Sequence, residues 1–224
     1  MIRFNNAGKA FRSRRNKDQL VWPIRNLTAT IERGESTAIL AIEGAGKSTL
    51  IGLVAGTENP TEGEIIRSGH ISWPASFRGM INMRMTARQN LRFLCDTYGH
   101  DFRAAHDFVQ EFAELGRYMD LIVKQCSNEQ RHRLAIAVLF AMNFDVILVD
   151  DTFEAGDGPF RRRIHEFVED NSDRITFFMA TSSARLAERY CKRVGILADG
   201  AVTFYDSMEE GVDVFRRMKT DEDY

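Results

Sequence analysis

A short run of glycine, lysine and hydroxyl residues has the composition of a phosphate-binding loop. The run consists of Gly44, Ala45, Gly46, Lys47, Ser48 and Thr49. Glycines let backbone N–H groups turn inward toward phosphate oxygens, and the N-terminus of a following helix adds partial positive charge. Lys47 is expected to reach the β- and γ-phosphates, and the Ser48 hydroxyl to bind Mg²⁺. The sequence therefore predicts a P-loop that binds a nucleoside triphosphate with Mg²⁺.

Two residues before this run depart from the usual P-loop pattern. Ala41 stands where the pattern G-x-x-x-x-G-K-[ST] has its first glycine, and its methyl group narrows the allowed backbone angles. Glu43 places a carboxylate near the phosphates, which is repulsive unless the side chain points to solvent. The alternative interpretation is a glycine turn that opens a helix and leaves Lys47 on the surface.

A second acidic site follows an apolar run about a hundred residues later. The stretch 144–150 reads FDVILVD, so Asp150 stands at the end of a predicted buried strand. Together with the P-loop, this arrangement predicts a Walker B aspartate that holds Mg²⁺. The alternative is a strand that ends at an exposed Asp-Asp turn.

Both sites require a sheet that brings strand ends together. Apolar runs of strand length occupy residues 36–42, 144–149, 175–180, 194–197 and 201–205, and helical patterns occupy 47–55, 87–98, 102–115, 128–142 and 183–190. Strands that alternate with helices predict an α/β fold with a mainly parallel sheet. Residues 73–142 contain no convincing strand. We therefore expect residues 1–224 to form one domain, with a helical subdomain at about 73–142 inserted in the core.

The composition is that of a globular protein without metal or nucleic-acid signals. The chain has 224 residues, 44% hydrophobic and 28% charged, with a net charge of −2. The basic run Arg12–Lys17 is interpreted as a solvated loop. The three cysteines are widely separated, which fits a reducing cytoplasm. No apolar stretch approaches the roughly 20 residues of a bilayer span, so any membrane role is expected to be peripheral and to depend on a partner.

The chain resembles the ATP-binding subunits of ABC transporters, and most closely those that export capsular or cell-surface polysaccharides. The resemblance runs from Ile2 to about Val214 and includes the P-loop, the run RLAIAVLFAMNFDVILVDD before and through Asp150, and the closing run RYCKRVGILADGAVTFYDS. It implies a P-loop NTPase of ABC type that binds ATP and Mg²⁺, with an N-terminal antiparallel β part. It also implies that Phe11 stacks on adenine and that Ala155–Asp157 form the D-loop.

The resemblance implies a dimer of such subunits that holds two ATP molecules head to tail. The P-loop of one subunit then faces a serine-glycine-glycine-glutamine signature of the other, at a helix N-terminus that clamps the γ-phosphate. The aligned residues here are Cys126, Ser127, Asn128, Glu129 and Gln130. Ser127 is retained, but both glycines are replaced. Glu129 is expected to place negative charge beside the γ-phosphate, at a cost on the order of several kcal/mol.

Further departures fall on positions that the family uses for hydrolysis. Asp151 stands in place of the catalytic glutamate and is one methylene shorter; a base displaced by about 1 Å can lower the rate ~10²-fold. Ser182 replaces the switch histidine and has less reach. No glutamine occurs between Ile71 and Arg88 to serve as the Q-loop residue. We therefore predict that the chain binds Mg-ATP and hydrolyses it slowly or not at all.

The function implied by the resemblance is that ATP binding closes a homo- or heterodimer and so drives a membrane permease. The chain would then lie at the cytoplasmic face of the inner (plasma) membrane, contact the membrane only through the permease, and bind no nucleic acid. One alternative is a hydrolysis-deficient regulatory or scaffolding subunit that pairs with an active paralogue. Another is an ABC-type ATPase that acts on DNA or ribosomes, but those usually carry tandem domains or long coiled-coil insertions.

Overall fold

The computed structural model describes residues 1–13, 16, 18–75, 80–151, 153 and 157–222. The chain forms two compact units: the first comprises Met1–Pro74, Asp145–Asp151 and Asp173–Tyr224, and the second comprises Ala75–Phe144 and Thr152–Ser172. Some residues singled out above lie outside the described part of the chain, namely Arg14, Arg15 and Lys17 of the basic run and Ala155 and Gly156 of the D-loop. Within the described residues, no helix combines the length and apolarity needed to cross a bilayer.

The first unit contains a three-stranded antiparallel sheet. Its strands are β1 (Ile2–Arg12), β2 (Leu20–Ile31) and β4 (Glu62–Arg67), and β1 lies in the middle. The pairing of β1 with β2 contains register shifts, and Asn6 and Asn26 on these strands adopt positive φ angles of 50° and 48°. Such irregularities bend a strand pair and increase its twist. The expected antiparallel β part is confirmed.

The first unit also contains a six-stranded sheet. Its strands are β3 (Thr37–Leu40), β5 (Ile71–Pro74), β6 (Val146–Asp150), β7 (Thr176–Thr181), β8 (Arg193–Ala198) and β9 (Ala201–Tyr205). The order is β5-β6-β7-β3-β8-β9, and only the β8–β9 pairing is antiparallel. The mainly parallel core is therefore confirmed. All residues of β3 and β7 are buried, as expected for strands covered on both faces.

Three helices belong to the first unit: α1 (Lys47–Ala55), α6 (Ala184–Tyr190) and α7 (Met208–Glu222). The apolar helix α1 joins both sheets in one hydrophobic core. This core includes Ile2, Phe4, Ile24 and Ile31 from the antiparallel sheet, Leu50, Ile51, Leu53 and Val54 from α1, and Val146, Leu148 and Phe178 from the parallel sheet. Because α1 contacts β6 and β7 within this core, the position of the P-loop helix is fixed relative to the strands that carry the acidic site.

The second unit is helical. Its helices are α2 (Ala87–Tyr98), α3 (Phe102–Ala113), α4 (Asn128–Ala141) and α5 (Gly158–Asp170), and two short 3-10 turns cover Gly116–Asp120 and Val123–Gln125. Four aromatic rings from α3, α4 and α5 pack together with centroid distances of 4.5 to 5.7 Å; they belong to Phe112, Phe140, Phe160 and Phe167. Helix α5 was not among the helices predicted from the sequence, although Asp157 caps its N-terminus and apolar residues follow at helical spacing.

Candidate functional site

The P-loop and the acidic residues lie at one edge of the parallel sheet. The P-loop follows β3, Asp150 ends β6 and Ser182 follows β7, and β7 lies between the other two strands. Asp150 is partly buried and is in register with Ala180 of β7. Because parallel strands have their carboxyl ends at the same edge, these residues face one crevice, which is where ligands bind in open α/β sheets.

The P-loop has a backbone that only its glycines tolerate well. Gly44 and Gly46 have φ angles of +82° and +114°, in the region that L side chains rarely adopt. Ala41 does not have a positive φ, and its amide donates to the Thr181 carbonyl at 3.0 Å. Glu43 is exposed. Ala41 therefore needs no glycine-like backbone conformation, and the Glu43 carboxylate is not buried in the loop.

Lys47 is buried, with only 8% of the residue exposed. Its ammonium group donates to the carbonyl oxygens of Ala41 at 3.2 Å and Ile42 at 2.9 Å. The alternative interpretation placed Lys47 on the surface, and this placement is wrong because the residue is buried. A buried charge has to be held by hydrogen bonds, and the two carbonyls provide them. The ammonium group is instead folded over the loop, where phosphate oxygens could replace the two carbonyls.

The N-terminus of α1 is open to an anionic ligand. Its N-cap is Gly46, which has no side chain to accept from the first-turn N–H groups. Ser48 is exposed and Thr49 is partly exposed in that first turn. Most helices have a residue at the N-cap whose side-chain oxygen accepts from these N–H groups. Gly46 has no such oxygen, so the first-turn N–H groups are positioned to bind the phosphates of a nucleotide.

Replacement of Gly46 by alanine is expected to lower the free energy of unfolding by about 1 to 3 kcal/mol. An added Cβ would lie 2.9 Å from the Pro23 Cβ and 3.0 Å from the Pro23 carbonyl oxygen, and the positive φ adds backbone strain. Gly44→Ala is the control because its φ is also positive, at +82°, but nothing lies within 4 Å of the added Cβ. Denaturant unfolding of both variants measures the difference. Equal losses would show that the contact with Pro23 is unimportant.

Asp151 and Ser182, which are predicted to stand at altered catalytic positions, are in direct contact. The Asp151 Oδ1 accepts hydrogen bonds from the Ser182 amide at 2.9 Å and from the Ser182 Oγ at 3.0 Å. The Asp151 carbonyl accepts from the Thr181 Oγ1 at 2.9 Å, and its amide donates to the Ala180 carbonyl at 2.8 Å. The residue following β6 is thus tied to the end of β7. Thr181 was missed from the sequence, because it contacts Asp151 only through the pairing of these strands.

Phe11 lies near the end of β1 with 39% of its surface exposed. The Lys9 ammonium lies 5.0 Å from the centre of the ring, and the paired residue Val21 on β2 is 51% exposed. An exposed ring can stack on a nucleotide base, which is worth about 1 to 3 kcal/mol in other proteins. The exposure of Phe11 is compatible with the adenine contact that the family resemblance implies.

Ser127 belongs to the second unit and is the N-cap of α4. The Ser127 Oγ accepts from the Gln130 amide at 3.2 Å, and the Gln130 Oε1 accepts from the Ser127 amide at 2.9 Å. This reciprocal pair is a capping box, which satisfies two N–H groups at the helix start. The helix N-terminus expected at the signature position is therefore formed although Asn128 and Glu129 replace its glycines.

The fold and the crevice together define a P-loop NTPase of the ABC type. The model of the ABC transporter family matches residues 24–154, which is more than half of the chain. The chain belongs to the ABC transporter family.

Similarity to individual proteins extends over nearly the whole chain. The capsule polysaccharide export ATP-binding protein CtrD of Neisseria meningitidis serogroup B is 35% identical over 87% of this chain and 90% of its own length. The ATP-binding protein BexA of Haemophilus influenzae is 34% identical over 98% of this chain and 100% of its own length. The solved dimer of the ATP-binding cassette MJ0796 with ADP and Pi has a TM-score of 0.78 at 22% identity and covers 93% of this chain and 99% of that one. This structural likeness supports the fold.

Proposed function

We propose that this chain is the ATP-binding subunit of an exporter of capsular or other cell-surface polysaccharide. The observation that carries the proposal is similarity along the whole chain to proteins named for this task. CtrD is named for capsule polysaccharide export, and the Escherichia coli protein KpsT, 28% identical over 96% of both chains, is named for polysialic acid transport. These names favour an exporter subunit over an ATPase that acts on DNA or ribosomes.

The nucleotide is assigned to the crevice of the first unit. Phe11 stacks on adenine, and Gly44, Ala45 and Gly46 with the α1 N-terminus hold the phosphates. Lys47 exchanges its two carbonyl partners for β- and γ-phosphate oxygens, and Thr49 adds an N–H group. Ser48 and Asp150 would hold Mg²⁺, which would offset the negative charge of the phosphates. The fit rests on the uncapped helix start and on the glycine backbone.

Closure of two subunits is assigned as the event that drives the permease. In the closed pair, Ser127 and the α4 N-terminus meet the γ-phosphate of the nucleotide on the other subunit. The helix N-terminus supplies partial positive charge for this contact. The chain lies at the cytoplasmic face of the inner membrane and reaches the membrane through the permease alone; its partner is a second copy or a paralogous ATPase.

We assign the general base of ATP hydrolysis to Asp151, which is a poorer base here than the family's glutamate. A general base has to lie within hydrogen-bond reach of the water that it activates. The Asp151 carboxylate is one methylene shorter than glutamate, and both Ser182 donors bind its Oδ1. We therefore assign slow turnover to the chain, with ATP binding as the main source of work.

Deletion of the gene tests the assigned transport. We expect the polysaccharide to accumulate inside the cell and to disappear from the surface, as measured by fractionation and an antibody or lectin against the polymer. The natural chain should restore export, whereas Lys47→Ala at equal protein level should not. Unchanged surface polysaccharide in the deletion strain would reject the proposal.

A further inference from the structure

The Glu129 carboxylate is neutralised within its own helix. Its Oε1 lies 2.9 Å from the Nη2 of Arg133 and accepts from the Arg133 Nε at 3.1 Å. Glu129 is in the first turn of α4, and Arg133 is four residues further along. An ion pair at this spacing lies along the helix surface. The carboxylate is therefore drawn back from the helix N-terminus, although its side chain remains half exposed.

Arg133 is held firmly by a ring of α5 and by the cap residues of α3 and α5. Its side chain is only 15% exposed, its Nη2 lies 3.0 Å from the Asp157 Oδ1, and its Nη1 lies 3.3 Å from the Glu114 Oε2. The guanidinium also lies 5.1 Å from the centre of the Phe160 ring. A planar guanidinium with several fixed partners loses little further entropy when it binds Glu129.

The charge of this cluster depends on Arg133. Glu114 also pairs with the Arg163 Nη2 at 2.5 Å, so the cluster contains three carboxylates and two guanidinium groups. The Arg163 hydrogen bond and charge, with a further contribution from Arg133, lower the pKa of Glu114, which is therefore ionised at neutral pH. Loss of Arg133 would leave one guanidinium for three carboxylates. Among the described ion pairs, Arg133 is the only cation that binds Glu129, so the Glu129 carboxylate would then be unpaired.

We propose that Arg133 is a positioning residue that makes a glutamate tolerable in the signature. It draws the Glu129 carboxylate back along α4, and so lets the α4 N-terminus approach the γ-phosphate of ATP on a second copy. This inference rests on the proposed function, in which two subunits close on nucleotide. Because Arg133 also holds Asp157 at the N-cap of α5, the starts of α4 and α5 are coupled to the same guanidinium.

The test is Mg-ATP-dependent self-association of the full chain, measured by sedimentation velocity. Arg133→Gln is expected to weaken association at least about tenfold, because Glu129 is then free to repel the γ-phosphate. Glu129→Gln should associate as tightly as the natural chain or more tightly. The double variant Arg133→Gln/Glu129→Gln should return to within about threefold of the natural chain, since the repelling charge is gone. High salt should reduce the Arg133→Gln defect, because salt screens exposed charges.

Arg163→Gln is the matched control, because it removes the other guanidinium of the cluster without touching Glu129. We expect it to leave association unchanged. If Arg133→Gln does not fold, Arg133→Lys retains a charge but not the fork of donors, and should show an intermediate, salt-sensitive defect.

Three results would overturn the inference: a double variant as weak as Arg133→Gln, an equal defect in Arg163→Gln, or no Mg-ATP-dependent association of the natural chain. ATP binding measured on the same samples shows whether the inference about Arg133 fails alone or the proposed function fails as well. Retained binding would leave the P-loop assignment intact, whereas absent binding would reject the function itself.

Discussion

Lys47→Ala is expected to lower the affinity of the chain for Mg-ATP by at least about a hundredfold. A charge-assisted hydrogen bond contributes ~1.5 to 3 kcal/mol, and each 1.4 kcal/mol changes a dissociation constant tenfold. Lys47 is buried, so its contacts with phosphate are weakly screened by water. In the structure its ammonium group is already held over the loop by the Ala41 and Ile42 carbonyls, which limits the entropy lost on binding.

The measurement is calorimetric titration of the purified chain with Mg-ATP. Lys192→Ala is the control, because Lys192 is an exposed lysine directly before β8 and the same charge is removed there. Circular dichroism has to show that Lys47→Ala remains folded, since the variant also loses two hydrogen bonds to the loop. Equal affinities for Lys47→Ala and the natural chain would remove the P-loop from the binding site.

Much of the fold could be predicted because most strands of the parallel core are recognisable from a short stretch of sequence. Strands such as β3, β6 and β7 are covered on both faces and therefore appear as continuous apolar runs. The strand β5 was missed because it is four residues long and ends at Pro74. Proline cannot donate to the ladder and is placed at sheet edges, and β5 is one of the two edge strands of this sheet.

Part of the candidate site could also be predicted from short stretches of sequence, and part could not. The P-loop could be predicted because its phosphate-binding groups lie within one short run of chain. Contacts made through tertiary structure could not, and examples are the approach of Pro23 to Gly46 and the hydrogen bonds between Asp151 and Ser182. The pair formed by Glu129 and Arg133 is different. Its spacing of four residues in a predicted helix is a pattern that a sequence alone can show, because both residues lie on the same helix.

The combined variant Asp151→Glu/Ser182→His is expected to raise ATP turnover about tenfold to a hundredfold. Glutamate extends the carboxylate by one methylene toward the attacking water. Replacement of Ser182 removes the hydroxyl donor that now binds the Asp151 Oδ1 and supplies a side chain with longer reach. Asp151→Glu alone should gain less, because the Ser182 hydroxyl still competes for the carboxylate. Residue 151 has a φ of 65°, a conformation that aspartate tolerates better than most residues, so backbone strain limits the gain in both variants that carry glutamate.

Phosphate release by the pure chain at saturating Mg-ATP measures this gain. The same variants with Lys47→Ala added provide the background from contaminating ATPases. Calorimetric affinities should be nearly equal among variants that retain Lys47, so that a change in rate reports catalysis and not binding. If the combined variant is no faster than the natural chain, Asp151 and Ser182 do not limit hydrolysis. The replaced glycines of the signature at Asn128 and Glu129 would then be the remaining cause, because they affect closure of the pair before any water is activated.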